Sequence, residues 1–244
     1  MEAWRLLNSE FADPYMNIAV EDAVLMAVNE KLSPNTIRFW RNLNSVIVGR
    51  NQSIKNAVDL NVCKKRCITI VRRFTGGGAV YQDYGNLNWS IFFSRSNPIS
   101  PMIISDVFKI FGKAVAKGLE FLGIDANFCP PNIIQFNGKK ISGLAAYAKR
   151  DAILCHGTLL ISTNLDILSE VLPLHKNSLT EVTCLEKELK RQVPLSIVRA
   201  SILRGLEESY DIKTKLGTLS EKEMEKAKTL YYEKYSGSEW NFKH

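Results

Sequence analysis

The run Arg72-Arg73-Phe74-Thr75-Gly76-Gly77-Gly78-Ala79-Val80-Tyr81-Gln82-Asp83-Tyr84-Gly85-Asn86-Leu87-Asn88 constrains this chain more than any other stretch. Three consecutive glycines open positive φ to the backbone and let it approach a ligand closely, at an entropic cost. The paired arginines bring planar donor forks that match phosphate or carboxylate. The run therefore reads as a place where an anion lies against bare backbone, or as a tight hairpin carrying two solvated arginines. Residues 68–73 are β-rich and lead into it; residues 87–94 are β-rich and lead away. A Walker loop ends in Gly-Lys-Ser/Thr on a helix, and a dinucleotide fingerprint turns from strand to helix. A glycine loop held between two strands is neither, so any nucleotide site here needs another architecture.

The chain has 244 residues, enough for one large domain or two small ones. No stretch approaches the roughly 20 apolar residues of a membrane span. Met1-Glu2-Ala3-Trp4-Arg5 lacks the basic and apolar regions of a secretory leader. The expectation is a cytoplasmic protein with no membrane association. Cys63, Cys67, Cys129, Cys155 and Cys184 are scattered and need no pairing in that setting. Cys63 and Cys67 stand at i, i+4 spacing, but no histidine lies near them to complete a zinc site. A net charge of +7 attracts something acidic. Because the basic residues are dispersed and no nucleic-acid-binding motif accompanies them, an acidic protein or an anionic nucleotide fits better than a nucleic acid.

Asp13-Pro14 predicts a helix start, with Asp13 as N-cap and Met16, Ala19, Val20, Ala23 and Val24 as one apolar stripe. Residues 36–40 and 45–49 are β-rich, and the four residues between them suit a hairpin. Residues 105–122 form an amphipathic helix stopped by Gly123. Residues 133–136, 140–142 and 152–162 read as strands, the first two joined at Asn137-Gly138, a strong hairpin signal. Residues 164–172 and 195–209 read as helices. Ser220 and Glu223 form a capping box for a last helix ending near Tyr235. No repeat or linker interrupts the chain. The expectation is one α/β (α+β) domain over residues 1–244, with a mixed, partly antiparallel sheet flanked by helices.

Lys140 emerges from the Asn137-Gly138 turn onto a strand. It either reaches an anion resting on the glycine loop or is one of a solvated pair with Lys139. Cys155 and His156 are neighbours on a strand, so they face opposite ways and do not form a dyad. Cys129, before Pro130-Pro131, is the better candidate for an exposed thiol.

Several motifs, in order, resemble a lipoate–protein ligase of the biotin/lipoate protein ligase family. They are Met16-Asn17-Ile18-Ala19, Val48-Gly49-Arg50-Asn51-Gln52, the Arg72 to Asn88 run, and Asn137-Gly138-Lys139-Lys140-Ile141-Ser142-Gly143 followed by His156-Gly157-Thr158-Leu159-Leu160. Tyr235-Ser236-Gly237-Ser238-Glu239-Trp240-Asn241 resembles the close of that catalytic domain. The resemblance implies a mostly antiparallel mixed sheet in a class II aminoacyl-tRNA synthetase-like architecture. It implies ATP and Mg²⁺ as cofactors, lipoate as substrate, a lipoyl-adenylate intermediate, and transfer to a lysine of an acidic carrier. Such carriers are the lipoyl domains of 2-oxoacid dehydrogenase complexes or the glycine cleavage H protein. By the same resemblance Lys140 is catalytic, placed between the lipoate carboxylate and the α-phosphate. Arg73, Gly77, Gly78, Ala79, Val80, Tyr81 and Leu144 would bind the adenylate. Gly76, Gly77, Arg50 and His156 would join Lys140 at lipoate. Asp83 and Asn86 would brace the loop, and Trp40, Val46 and Val48 would line an acyl tunnel. No metal ligands are assigned.

Two positions depart from the family pattern: Gln82 stands where histidine is common, and Ile133 near where aspartate is common. Asn132, through its amide oxygen, or a carboxylate elsewhere would be the substitute donor. The resemblance also implies a small C-terminal accessory domain supplied as a separate polypeptide. The alternatives are an octanoyl- or lipoyl-transferase of the same fold using a thioester on Cys129, and a non-catalytic relative that binds lipoate or nucleotide.

Overall fold

The computed structural model describes residues 3–101, 103–173 and 181–243. Eight strands form one mixed sheet: β1 (Trp4–Asn8), β2 (Thr36–Trp40), β6 (Asn86–Ser94), β7 (Asn127–Cys129), β8 (Ile133–Phe136), β9 (Lys139–Ala148), β10 (Ala152–Leu160) and β11 (Thr214–Leu216). Their order is β11-β1-β2-β6-β10-β9-β8-β7. A second sheet, not expected from the sequence, has β3 (Ser45–Val48) between β4 (Thr69–Arg72) and β5 (Val80–Gln82). Parallel pairing joins β1 to β2 and β11, and β3 to β4; the other ladders are antiparallel.

The central strands are buried on both faces, and their alternation separates two environments. Leu87, Trp89, Ile91 and Phe93 of β6, with Ile153, Cys155 and Leu159 of β10, enter one apolar cluster. Helices α4 (Ile104–Glu120) and α7 (Leu195–Tyr210) cover that cluster through Phe111, Val115, Val198 and Ile202. On the opposite face α1 (Pro14–Asn29) packs Ile18, Val24 and Leu25 against Trp40, Phe92 and Leu154. Behind it lies α8 (Glu221–Leu230), continued by a π-helical turn (Tyr231–Tyr235). The short helices α2 (Ile54–Ala57), α3 (Leu60–Lys65) and α5 (Leu165–Val171) close the small sheet. Two more, α6 (Leu185–Leu189) and α9 (Ser238–Asn241), complete the helices described.

Local signals formed as read. Asp13 caps α1 by accepting from the Tyr15 amide at 2.8 Å, and Ser220 with Glu223 closes the capping box of α8. Asn137 and Gly138 both adopt positive φ, 50° and 74°, as the two-residue hairpin requires. The hairpin expected between residues 36–40 and 45–49 does not form. Both edges of β2 are already paired, with β1 and β6, so β3 leaves to join β4 and β5. The connection is held inward by Asn42, fully buried, whose amide donates to Gln82 and accepts from Asn17.

Candidate active site

On the α1 face the buried strands carry polar side chains. Register aligns Trp40, Asn88, Thr158 and Gly143 across β2, β6, β10 and β9, with Arg38, Ser90, His156 and Ala145 aligned in the adjoining row. The first row, with His156 and Ala145, lines a pocket of about 130 Å³. Ile18 of α1, Ile47 of β3 and the segment Gly77, Gly78, Ala79 and Val80 close it. Val80, Lys140, Gly143 and Thr158 also border a smaller neighbouring cavity of about 30 Å³ with Tyr81 and Leu168.

The glycine loop joins β4 to β5, and both of those strands flank β3, so the loop must cross the end of β3 at Gly49. Gly77 takes φ 90° there. Arg73 is buried beneath the loop. Its Nε donates to Thr75 Oγ1 at 2.9 Å, its Nη1 to the Ile47 carbonyl at 3.0 Å, and its Nη2 to the Gly76 and Gly78 carbonyls. Burial lowers its pKa to about 10, and the Glu21 charge opposes that shift. With the loop carbonyls drawn to Arg73, the amides of Gly76, Gly77, Gly78 and Ala79 have no partner among the described residues. Successive unclaimed amides form an anion-binding concavity. Arg72 acts likewise on a neighbouring segment, with Nη1 donating to the carbonyls of Gly49, Arg50 and Gln52. The arginine pair thus shapes the backbone, and the backbone presents the donors.

Lys140 reaches the pocket through a β-bulge. Ile134 opposes Ser142 but Gln135 opposes Lys140, which leaves Ile141 as the extra residue and changes the phase of the strand. The ammonium consequently folds over Gly143, with Nζ 3.2 Å from where a Cβ on that residue would lie. Its backbone is held by the segment 181–183, donating to the Glu181 carbonyl at 2.7 Å and accepting from the Thr183 amide at 2.9 Å. No carboxylate among the described residues forms an ion pair with Lys140, and burial pushes its pKa down. Lys139 instead pairs with Glu188 and Glu181. The two lysines of the turn therefore have opposite fates.

His156 stands at the pocket wall with both ring nitrogens engaged. Nδ1 is 2.8 Å from Glu21 Oε1 and Nε2 is 2.9 Å from Thr75 Oγ1. Ser90 Oγ donates to the same Glu21 oxygen at 2.6 Å and accepts from Trp40 Nε1 at 2.9 Å. Glu21 is fully buried, and its Oε2 has no partner among the described residues. Burial pushes its carboxyl up, but its interactions with His156, the hydrogen bond from Ser90 and the Arg38 charge outweigh this and hold it below its ordinary value. Cys155 faces the opposite core, as strand alternation requires.

The other candidates are placed as follows. Leu144 lines the pocket, and its amide and carbonyl both bond Asn132. Tyr81 lies on the smaller cavity, with its hydroxyl donating to Asn44. Arg50 is exposed, 3.3 Å from the Tyr147 hydroxyl. Gly76 serves through its carbonyl. Asp83 accepts from the Gly85 and Asn164 amides, which ties the β5–β6 turn to the start of α5 and not to the glycine loop. Asn86 donates to Asn88, which is paired reciprocally with Gln82. Gln82 is thus a buried member of an amide network on the pocket wall. Trp40 lines the pocket, whereas Val46 and Val48 face the small-sheet core and Ile47 between them takes the lining position. Cys129 lies on the sheet-edge strand β7, where its thiol donates to Gln135 at 3.2 Å, and it does not line the pocket.

No sequence motif singles out Glu21, Ser90 or Thr75 as functional. One signal was available: Asn17 and Glu21 at i, i+4 place two polar groups on the buried side of an otherwise apolar helix.

Residues 13–207 match the family model of the lipoyl protein ligase A/B catalytic domain. The chain belongs to that family. It is 33% identical over 260 residues to lipoate-protein ligase A subunit 1 of Thermoplasma acidophilum, covering 99% of this chain and 97% of the relative. A structure of a bi-partite lipoate protein ligase with its E2 lipoyl domain from that organism is similar at a TM-score of 0.90, with 33% identity and coverage of 99% and 97%. Structures of family members with bound lipoic acid and with bound ATP each give 0.89, at 33% identity and 99% coverage of both chains. The octanoyltransferase LipM of Anoxybacillus flavithermus is 25% identical over 275 residues, covering 99% of each chain. The expected α/β fold with a mixed, helix-flanked sheet is that of the lipoate ligase structures. Among the described residues no helix is long and apolar enough to cross a membrane.

Proposed function

We propose that this protein activates lipoate with ATP and passes the lipoyl group to a lysine of an acidic carrier domain. The observation that carries the reading is the meeting of Lys140, a half-buried ammonium with no ion-pair partner among the described residues, with the unclaimed amides of Gly77, Gly78 and Ala79 at one pocket. In the first step a lipoate carboxylate oxygen attacks the α-phosphorus and pyrophosphate leaves. Lys140 attracts both the carboxylate and the α-phosphate, and the loop amides donate to phosphate oxygens. Such preorganised donors typically contribute several kcal/mol to transition-state stabilisation. In the second step the carrier amine attacks the acyl carbonyl of the mixed anhydride and AMP leaves. The apolar walls from Ile18, Trp40, Ile47 and Val80 suit the acyl chain.

A Mg²⁺ ion is implied by the family. Among the described residues no group of three His, Cys, Asp or Glu side chains could hold one, and Ile133 offers no donor. The described residues do not fit a protein-held metal. The likeness to a subunit of a bi-partite ligase supports action with a separate accessory polypeptide, and the net charge of +7 suits an acidic carrier.

The kinship with LipM supports a second reading, acyl transfer through Cys129. Incubation with lipoate, ATP and Mg²⁺, with and without a candidate accessory protein, decides between them. Pyrophosphate and lipoyl-adenylate support the ligase. Octanoyl transfer that needs no ATP and is abolished by Cys129→Ala, with no adenylate formed, overturns it. A simple binder would lose only some affinity on Lys140→Ala and would make no adenylate.

A further inference from the structure

The hydrogen bonds around Glu21 form one chain, and the donor inventory fixes the direction of the bonds at both its ends and at the carboxylate. An arginine guanidinium and an indole N–H can only donate, and a carboxylate can only accept. Arg73 Nε donates to Thr75 Oγ1, so the Thr75 hydroxyl is free to turn its own proton to His156 Nε2, 2.9 Å away. That nitrogen then accepts, and Nδ1 carries the imidazole proton that Glu21 Oε1 receives at 2.8 Å. From the other end Trp40 Nε1 donates to Ser90 Oγ, and Ser90 donates to the same Glu21 oxygen. For a neutral imidazole, two donor-only ends and one acceptor in the middle leave a single consistent arrangement.

We infer that Glu21 is a positioning residue that, by holding His156 as the Nδ1–H tautomer, orients Thr75 and Arg73 and so keeps the glycine loop in its anion-accepting shape. The link runs from the acyl pocket to the loop. His156 lines the pocket, Thr75 begins the loop, and Arg73 holds the Gly76 and Gly78 carbonyls. With the opposite tautomer, Nε2–H would point at the Thr75 oxygen that already receives Arg73, and the Thr75 proton would have to turn elsewhere. The loop would then lose one of its ties. This consequence for nucleotide binding rests on the function proposed above; the tautomer does not.

The test uses the full chain and a non-hydrolysable ATP analogue. Long-range ¹⁵N–¹H correlation spectra of the imidazoles report the tautomer, and calorimetry reports the affinity for the analogue. The wild type is expected to show a protonated Nδ1 and an unprotonated Nε2 at His156. Glu21→Leu is expected to lose that tautomer and to weaken analogue binding roughly ten- to hundredfold, the scale of a lost hydrogen bond to a charged group. Glu21→Gln keeps an oxygen that Ser90 still orients, so it is expected to retain the tautomer and most of the affinity. Thr75→Val breaks the chain beyond His156, and should weaken binding while Nδ1 stays protonated. A proton on Nε2 in the wild type, with or without one on Nδ1, overturns the inference, as does unchanged affinity in both Glu21→Leu and Thr75→Val. A wild type that binds no nucleotide analogue sinks the functional proposal instead, while the spectra still decide the tautomer.

Discussion

Gly49 lies so close under Gly77 that a Cβ on Gly49 would overlap the Gly77 carbonyl oxygen. This contact sets the height of the glycine loop above the end of β3, because the loop passes from one flanking strand to the other across that point. Arg73 secures the same crossing from below through the carbonyls of Gly76 and Gly78. The loop is therefore shaped by a missing side chain on one strand and a buried cation on another.

Gly49→Ala is expected to push the loop outward, since backbone cannot yield as a flexible side chain does. Overpacking of this kind typically costs about 1–3 kcal/mol. Thermal melting should show that loss. Calorimetry with an ATP analogue should show a larger drop in affinity than the stability change alone explains.

Lys140→Met is expected to leave the melting temperature unchanged or slightly raised, because it removes a half-buried charge that has no ion-pair partner among the described residues. Pyrophosphate release should fall about 10²- to 10³-fold, the scale for loss of one preorganised electrostatic donor. The pH profile follows from burial, which favours the neutral amine. Adenylation by the free enzyme should decline with rising pH before the ordinary lysine value of 10.5 is reached. The stability cost of burying the ammonium has the opposite course. It applies in full below the folded pKa and is relieved as pH rises towards 10.5.

Glu223 joins three parts of the fold away from the pocket. It receives Arg5 in a bidentate pair, the Ser33 hydroxyl at 2.8 Å and the Ser220 amide at 2.8 Å. Glu223→Ala leaves Arg5 without its carboxylate and should cost about 3 kcal/mol, read from denaturant unfolding. Burial pushes the Glu223 carboxyl up, but hydrogen bonds from Arg5, Ser220 and Ser33 with the Arg5 charge bring it below 4.5. Its stabilisation is thus present above the unfolded carboxylate value and is lost as pH falls through the lower folded one. An acid-unfolding series of wild type and variant should converge at low pH.

Cys129→Ala should retain lipoyl-adenylate formation within about twofold, because surface substitutions away from a site rarely exceed about 0.5 kcal/mol. Adenylate formation measured with radiolabelled ATP tests this directly. A loss of all acyl transfer to the carrier would instead place the thiol in the reaction.

The parts of this protein legible in sequence are those decided within a few residues. Asp13-Pro14, Ser220 with Glu223, and Asn137-Gly138 act through caps and turn dihedrals that no distant residue needs to supply. The strands near 68–73 and 87–94, and the opposite facing of Cys155 and His156, follow from β periodicity, whereas β5, the short strand that the glycine loop enters, takes its form from pairing with β3. Lys140 could be singled out, but its aim could not, because the bulge at Ile141 appears only when β8 pairs with β9. Tertiary structure alone decided that β3 abandons β2, since that depends on β1 and β6 occupying both edges. It also brought Glu21 to His156 across 135 positions of sequence, and put Ile47 in the pocket wall in place of Val46 and Val48. The sequence located an anion site at the arginine and glycine run, and packing decided how it works. Buried guanidinium groups satisfy themselves on the nearest carbonyls, so Arg73 turns inward and leaves the loop amides for a ligand.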